Sequence, residues 1–323
     1  MLIRPRRNRQ SEAFRSSIRE TRVEPRHLVM PIFLVEGAGV KETIASLPMA
    51  ARMSLDEVLR EIGECQALGI DKFIMFPAIP EEKKDKYATY SYDPENFYLT
   101  AATKIKEVYP DICLISDVAM DPYSSDGHDG LVEDGKILND ATLPILSKMA
   151  LAQAKAGFDM LGPSDMMDGR VECIRETLDE AGFTSTAIMS YTAKYASGFY
   201  GPFRDALDSA PKAGDKKTYQ MDPANKQEAL TEAMLDVEEG ADFIMVKPAL
   251  NYLDIIHLLK ENFQTPVAAY HVSGECAMLY AACQNGWLDY EVVMPETLLS
   301  LKRAGADVII TYFAKELAER YSR

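Results

Sequence analysis

Two lysines of this chain each stand at the end of a short apolar run, where a lysine can act as a nucleophile. Lys247 follows the run FIMV at 243–246 and precedes Pro248. Such a run suits a strand buried on both faces, and a proline marks where regular pairing stops. Apolar walls disfavour the charged form of a lysine, and the neutral amine attacks a ketone or aldehyde to give a Schiff base. A single lysine of this kind is more often a rim residue that reaches water or pairs with a carboxylate.

Lys194 is the second such lysine, placed just past the run TAIMSYT at 186–192. In a barrel whose strands follow sequence order, the two strands would be neighbours and both amines would face one pocket. Two ammonium groups at close range lower each other's pKa. The pair therefore predicts at least one neutral, nucleophilic amine, which one lysine alone does not.

The elements that would hold these lysines alternate regularly along the chain. Apolar runs predict eight strands, at 28–34, 72–77, 111–118, 158–162, 186–192, 242–246, 266–272 and 307–312. Helical spacing and helix-ending glycines predict helices at 54–68, 97–108, 141–156, 171–181, 225–239, 251–262, within 291–304 and up to 321. This alternation favours an α/β fold, a parallel (β/α)₈ TIM barrel, over a two-domain open sheet. Working residues of such barrels lie at strand C-termini and in the following loops.

Charge divides the chain into a basic arm and an acidic body. The net charge of −15 argues against general affinity for nucleic acid or anionic membrane. Residues 1–26, however, hold eight arginines and three glutamates. They lack the apolar segment of a targeting peptide, and we interpret them as an N-terminal arm for subunit contact. The barrel is expected over 27–323, with long lid loops near 119–140 and 195–224.

Cysteine usage and hydropathy predict a cytoplasmic protein that is not inserted in a membrane. The five cysteines are an odd number without a CxxC pair, so neither a disulfide framework nor a thiolate zinc site is indicated. No apolar run approaches the length that spans a bilayer. No GxGxxG or P-loop motif follows a strand, and no organic cofactor is expected.

Long motifs around both lysines resemble one known family. They are SYTAKYASGFYGPFRDA around Lys194, MVKPALNYLD around Lys247, and GDKKTYQMDPAN in the second lid; further similar segments run from RPRRNRQSEAFR to the last strand. The chain resembles the porphobilinogen synthase family, also called 5-aminolaevulinate dehydratase. The resemblance implies the asymmetric condensation of two 5-aminolaevulinate molecules to porphobilinogen, with loss of two waters, in tetrapyrrole (haem and chlorophyll) biosynthesis. It also implies a hydro-lyase in which Lys247 forms the Schiff base with the P-side substrate and Lys194 with the A-side substrate.

The resemblance assigns roles to further residues by position. Asp117 and Ser164 match positions near the P-side amino group, although Ser164 is about equally well explained as a helix cap. The P-side carboxylate binders would be Ser273 and Tyr312. The A-side binders would be Arg204, Lys216 and Gln220. Pocket walls would be formed by Tyr191, Phe199, Phe203 and Tyr270, for which ordinary packing is an equal alternative.

Metal sites are expected to involve magnesium and not zinc. Three cysteines of the zinc-dependent branch correspond here to Ala119, Asp121 and Asp129, so the chain resembles the aspartate-type branch and no catalytic zinc is expected. Asp121 and Asp129, with Asp126, either hold a Mg²⁺ or monovalent ion or are ordinary turn residues. Glu232 matches an allosteric Mg²⁺ position, whereas its pattern alone indicates a solvated helix face. The four histidines show no metal-binding spacing.

Family members commonly form homo-octamers with exchanged arms, which gives the basic N-terminus its expected role.

Two other functions stay open on the residues alone. A class I aldolase or transaldolase also uses a strand-end lysine in a barrel, but it needs one imine lysine and leaves the A-side set unexplained. A catalytically silent barrel acting as an assembly scaffold would not need both lysines.

Overall fold

The computed structural model describes residues 1–207 and 211–321. Within them the strands are β1 Leu28–Leu34, β2 Lys41–Ile44, β3 Leu47–Met53, β4 Lys72–Pro77, β5 Cys113–Val118, β6 Leu131–Glu133, β7 Lys136–Leu138, β8 Met160–Pro163, β9 Ala187–Lys194, β10 Phe243–Lys247, β11 Val267–His271 and β12 Val308–Thr311. The helices are α1 Glu12–Ser17, α2 Leu55–Ala67, α3 Phe97–Val108, α4 Asn139–Ala156, α5 Arg170–Glu180, α6 Gly201–Leu207, α7 Glu228–Glu238, α8 Leu253–Asn262, α9 Ser273–Gln284, α10 Tyr290–Ala304 and α11 Ala314–Tyr321.

Eight of these strands close into a parallel barrel surrounded by helices. The strand order is β1-β4-β5-β8-β9-β10-β11-β12, and β12 pairs with β1 through Leu28 and Ile309. Strand residues such as Ile32, Ile74 and Ile244 are fully buried, as expected for strands covered by helices on one face and by barrel side chains on the other. The predicted (β/α)₈ barrel is therefore confirmed.

Aspartates at the start of alternate strands join neighbouring strands at the N-terminal end of the barrel. Asp159 precedes β8, Asp242 precedes β10 and Asp307 precedes β12. Each carboxylate accepts a hydrogen bond of 2.8 Å from a backbone N–H of the preceding barrel strand, at Leu114, Ile188 and Val267 respectively. Each aspartate N–H donates to the carbonyl oxygen of that same residue. We call this reciprocal pair of bonds an aspartate clasp.

The predicted strands are confirmed, with small differences at their ends. The strand expected at 158–162 is Met160–Pro163, because Asp159 is engaged in its clasp, and the strand at 111–118 begins at Cys113. The helix expected at 225–239 begins only at Glu228, since residues 222–225 form a turn in which the Asn225 N–H bonds to the carbonyl of Asp222.

The sequence did not predict several of the described elements, which are helices α1, α6 and α9 and the hairpins β2–β3 and β6–β7. Helix α9 follows β11 almost without a loop, and its exposed Met278 interrupts the apolar face that would have indicated a helix. The hairpin of β2 and β3 extends the sheet beyond β1, while the small hairpin of β6 and β7 lies inside the first lid. Short antiparallel pairs with polar residues carry too little apolar alternation to be recognised.

The N-terminal arm and the lids lie outside the barrel wall. Residues 1–22 are largely exposed and contain only a short 3₁₀ turn and α1. The lids touch each other, because His128 of the first contacts the Tyr219 hydroxyl at 3.1 Å and the Ala213 carbonyl at 2.8 Å. In the described ranges, none of the helices has the length and apolar character needed to cross a membrane.

Candidate active site

The two lysines lie side by side at the C-terminal end of the barrel. Lys247 ends β10 and Lys194 ends β9, and the two residues are direct partners in the register of these neighbouring strands. Both side chains are buried, with exposed fractions of 7% and 5%. The two strands are neighbours, and both Nζ atoms lie within 6 Å of the centroid of the Tyr191 ring.

Lys247 is surrounded by aromatic rings. Its Nζ lies 4.6 to 5.3 Å from the centroids of four rings, those of Tyr191, Tyr200, Phe203 and Tyr270. Burial, and secondly the charge of Lys194, lower the pKa of Lys247 to about 7. Ring faces attract a cation, but they do not replace the lost hydration of an ammonium group. A large fraction of Lys247 is therefore a neutral amine near neutral pH.

Lys194 has polar neighbours instead. Its ammonium group donates a short hydrogen bond to the carbonyl oxygen of Ser164, and its Nζ lies 3.7 Å from a carboxylate oxygen of Asp129. Ser164 follows β8, and its own N–H bonds to the Val118 carbonyl at the end of β5. Neighbouring strand ends thus hold Lys194 in place through backbone atoms.

Three carboxylates approach the lysines from β5 and the first lid. Burial, together with the charge of Asp121, raises the pKa of Asp117 to about 7. Burial also raises the pKa of Asp121. For Asp129 the nearby ammonium groups of Lys194 and Lys216 outweigh burial and hold the pKa below its usual range. The site therefore contains one carboxyl group, Asp117, that can gain or lose a proton near neutral pH.

Lys216 of the second lid points into this carboxylate cluster. Its Nζ lies 2.8 Å from Asp129 and 3.1 Å from Asp121, and these ion pairs outweigh burial to raise its pKa. The lysine ammonium thus occupies the space between the two carboxylates that a metal ion would need. Within the part of the chain that the structure describes, no group of three or more His, Cys, Asp or Glu side chains is arranged to hold a metal. A metal bound by both Asp121 and Asp129 does not fit this arrangement.

Ser273 and Tyr312 bring hydroxyl groups to the side of the pocket near Lys247. The Ser273 hydroxyl accepts a 3.0 Å hydrogen bond from the Phe203 N–H, which joins α9 to the second lid. The Tyr312 hydroxyl lies 3.1 Å from that of Tyr270. Both residues are buried, so a carboxylate bound there would be shielded from water.

The remaining predicted residues divide between this pocket and another region. Gln220 is buried in the second lid, four residues beyond Lys216, and Arg204 lies half-buried on α6. Glu232, in contrast, lies on α7 outside the lysine pocket.

Glu232 lines a cavity of about 1090 Å³ between the two lids and α7. Asp168 and Glu228 line the same cavity. Burial, opposed by Arg170, raises the pKa of Glu232 to about 7, and neighbouring acidic groups add to this rise. A carboxyl group whose ionised form is destabilised by burial and, less strongly, by acidic neighbours suits a cation, and Mg²⁺ can bind through a single carboxylate.

Several residues near the two lysines were not predicted from the sequence. Tyr200 is one of the four rings around Lys247, and the cluster of aromatic residues in the second lid was the available signal. Phe33 of β1 and Phe76 of β4 form the far wall, where both rings contact Phe203, at centroid distances of 5.7 and 5.0 Å. Nothing in the sequence distinguishes these two from other core phenylalanines.

Fold and site together define a class of protein, the parallel (β/α)₈ barrels that carry buried, amine-bearing pockets at their strand C-termini. Comparison with known proteins narrows this class. The sequence model described as "Delta-aminolevulinic acid dehydratase" matches residues 2–320. The chain belongs to the delta-aminolevulinic acid dehydratase family.

Relatives and solved structures agree with this assignment over almost the whole chain. The delta-aminolevulinic acid dehydratase of Bacillus subtilis is 51% identical over 316 residues, which are 98% of this chain and 97% of the relative. That of Chlamydia pneumoniae is 49% identical over 98% of this chain and 95% of the relative. The crystal structure of the Toxoplasma gondii ME49 protein, delta-aminolevulinic acid dehydratase (porphobilinogen synthase) in complex with the reaction product porphobilinogen, has a TM-score of 0.97 and 49% identity. This match covers 99% of this chain and 92% of that structure.

Proposed function

We propose that this protein condenses two molecules of 5-aminolaevulinate to porphobilinogen, with loss of two waters, and so serves tetrapyrrole biosynthesis as a hydro-lyase. The observation that carries the proposal is the pair Lys194 and Lys247, buried and in direct register on adjacent barrel strands. Each substrate has one ketone, and each ketone needs one amine to form an imine. Family membership and the product bound to the Toxoplasma relative support the same reaction.

Lys247 is assigned to the P-side substrate by the family resemblance of its motif, and its pKa of about 7 supplies the neutral amine that this role needs. The amine adds to the ketone carbon, the carbinolamine loses water, and an imine remains. Once protonated, the imine draws electrons from the adjacent carbon and so acidifies its C–H bonds. The Ser273 and Tyr312 hydroxyls would receive the carboxylate of this same substrate.

Lys194 is assigned to the A-side substrate, whose carboxylate would be bound by Arg204, Lys216 and Gln220 of the second lid. An arginine offers a two-pronged donor and a lysine a point charge, so together they suit a carboxylate. Because Lys216 is paired with Asp121 and Asp129, the incoming carboxylate competes with these two side chains for its ammonium group.

Asp117 is the proposed proton carrier of the site. Its raised pKa, about 7, lets it release and accept a proton near neutral pH. One of its carboxylate oxygens is buried without a hydrogen-bond partner among the described residues, so it is available to a substrate amino group or imine. Tyr191, whose ring lies within 6 Å of both ammonium groups, would serve as apolar wall between the two substrates.

A borohydride trapping experiment tests the mechanism. The protein is incubated with labelled 5-aminolaevulinate and borohydride, which reduces an imine to a stable secondary amine, and the labelled peptides are mapped. We expect adducts at Lys247 and Lys194, and none at the neighbouring exposed Lys226. Absence of adducts at both lysines rejects the mechanism. Trapping of a sugar phosphate would instead indicate an aldolase, and a protein that traps neither compound would indicate a scaffold.

We propose further that Mg²⁺ binds at Glu232 as a regulator and that no zinc takes part in the reaction. The acidic cavity around Glu232 supports the first part, and the Lys216 ammonium between Asp121 and Asp129 supports the second. After chelation, Mg²⁺ should raise activity and zinc should not be required. Glu232→Gln should abolish the Mg²⁺ response and the Mg²⁺-dependent rise in melting temperature. Recovery of activity with zinc alone would refute the assignment.

We infer a cytoplasmic location from the cysteines. All five are unpaired in the structure, which agrees with a reducing compartment. Fractionation of cells expressing the tagged protein should place it in the cytoplasm; recovery in a membrane or exported fraction would contradict this.

A further inference from the structure

Glu275 is a buried carboxylate to which neither the sequence nor the proposed reaction gives a role. It is the third residue of α9 and is fully buried. No lysine, arginine or histidine in residues 1–207 and 211–321 forms an ion pair with it. A buried carboxylate without a cation needs several hydrogen-bond donors, so the identity of these donors shows what it holds.

The donors to Glu275 are backbone N–H groups of two separate segments. One carboxylate oxygen accepts from the Leu250 N–H at 2.8 Å, and the neighbouring N–H groups of Ala249 and Asn251 favour the ionised form of the carboxyl group. The other oxygen accepts from Val272 at 2.9 Å. One carboxylate therefore joins the loop after β10 to the segment between β11 and α9.

These two segments carry the groups that would hold one substrate molecule. The loop bound by Glu275 begins two residues after Lys247, and Val272 immediately precedes Ser273. The start of α9 is also fixed from the other side, because a Cβ atom at Gly274 would lie 2.4 Å from the carbonyl oxygen of Phe199. The Glu275 side chain thus connects the backbone segment that follows Lys247 with the one that precedes Ser273.

We propose that Glu275 is a positioning residue that fixes the separation between the Lys247 amine and the carboxylate-binding hydroxyl of Ser273. This separation must match the chain between the ketone and the carboxylate of one keto acid. Glu275 thereby selects a substrate that offers both groups over a ketone that offers one. The inference rests on the proposed function of Lys247 and Ser273.

An ordinary helix cap is the competing explanation. Glu275 accepts the N–H of Val272, the residue that precedes α9, as a capping glutamate does. A cap accounts for the bond to Val272 and for stability, but not for the bond from the Leu250 N–H in the loop after β10. The two explanations predict different effects on substrate selection, and a comparison of two ketones separates them.

The probes are 4-oxopentanoate, which has the ketone and carboxylate of the substrate, and 2-pentanone, which lacks the carboxylate. Each forms an imine with the Lys247 amine by losing water, and cyanoborohydride delivers hydride to the imine carbon. Peptide mapping gives the trapping rate at Lys247 alone. We measure the ratio of the rates for the keto acid and the ketone in the wild type, in Glu275→Gln and in the control Cys276→Ala, a buried neighbour on the same helix.

We expect Glu275→Gln to lower this ratio about tenfold or more. The amide NH₂ group cannot accept a hydrogen bond from a backbone N–H, so one of the two segments held by Glu275 would be released. Cys276→Ala should lower the melting temperature and leave the ratio unchanged. Glu275→Asp keeps the carboxyl group but is one methylene shorter; its ratio should lie between those of the wild type and Glu275→Gln, and it provides the same comparison if the glutamine variant does not fold.

A ratio unchanged in both Glu275 variants overturns the positioning role, even if both variants melt at lower temperature. A wild type that traps neither probe at Lys247, or traps both at equal rates, overturns the proposed function and this inference with it. If the ratio of keto acid to ketone trapping is high in the wild type and stays high in both Glu275 variants, only the positioning role of Glu275 is wrong.

Discussion

Lys194 and Lys247 differ in their neighbours and not in their place on the barrel. Four aromatic rings surround Lys247, whereas Lys194 contacts the carbonyl of Ser164 and the carboxylate of Asp129. Burial is the main cause of the lowered pKa of Lys247, and the charge of Lys194 is the second. At the scale of single residues, the reactivity of one lysine thus depends partly on the charge of the other.

Imine formation at Lys247 should follow its neutral fraction. With a pKa of about 7, that fraction rises about tenfold between pH 6 and pH 8. The rate at which 4-oxopentanoate is trapped at Lys247 should rise over the same range and then level off. Asp117 ionises in the same range and favours the charged amine, which should broaden the transition.

Substitution of Lys194 tests the coupling between the two amines. Lys194→Met removes a positive charge and should move the midpoint of the trapping profile to higher pH. Lys194→Arg retains the charge and is the matched control, whose midpoint should stay near that of the wild type. Identical midpoints in the methionine and arginine variants would show that burial alone sets the pKa of Lys247.

At the scale of elements, the aspartate clasps secure the end of the barrel that lies opposite the lysines. Asp307 also pairs with Lys260 of α8 at 2.8 Å, and Asp159 pairs with Lys106 of α3 at 2.9 Å. Each clasp therefore connects two strands and, in these two cases, a helix. Because strand N-termini lie away from the pocket, their bonds support stability and not chemistry.

Asp307→Ala should lower stability and leave the reaction nearly intact. The change leaves the Val267 N–H and the Lys260 ammonium without their partner, which costs about 1–3 kcal/mol. The melting temperature should fall by roughly 2–10 °C in a calorimetric scan. Glu261→Ala, an exposed change on α8, should melt within about 1 °C of the wild type. A large loss of kcat at 25 °C in Asp307→Ala would contradict this separation of roles.

At the scale of the whole molecule, charge is separated along the chain. Residues 1–26 carry a net charge of +5, and since the whole chain carries −15, the remainder carries −20. The arm also exposes the apolar side chains of Ile3, Phe14 and Ile18. A basic, partly apolar segment with few contacts to its own barrel suits an acidic barrel of another subunit.

We propose that this arm joins subunits into a homo-octamer, so deletion of residues 1–26 should reduce the size of the assembly. We expect an octamer for the full chain in sedimentation velocity and a smaller species for the shortened chain. High salt should weaken the full-length assembly as well, since it screens the attraction between arm and barrel. An octamer that persists after the deletion would exclude the arm as the connecting element.

The barrel and its lysines could be predicted from sequence because their signals are local. Each strand is a short apolar run, and Lys247 and Lys194 directly follow two of them. Phe33 and Phe76 could not be found in this way, because they reach the pocket through packing between distant elements. The same holds for Glu275, whose partners are backbone groups that the sequence does not distinguish.

The metal expectation at Asp121 and Asp129 shows a further limit. The sequence places two carboxylates in one lid, but the cation between them is the side chain of Lys216 from the other lid. Pairing across 95 positions of sequence depends on how the lids fold over the barrel. Residue types alone cannot tell whether a carboxylate pair attracts a metal or a lysine.

Lys194 and Lys247 are direct register partners, so the site must distinguish between two identical substrate molecules. Both amines project from equivalent points of adjacent strands, so the barrel itself does not distinguish them. The proposed reaction nevertheless needs two copies of one compound to take different parts. That distinction must come from the walls, aromatic on one side and carboxylate-bearing on the other. For the proposed reaction, side chains contributed largely by the lids would therefore make the surroundings of the two amines different.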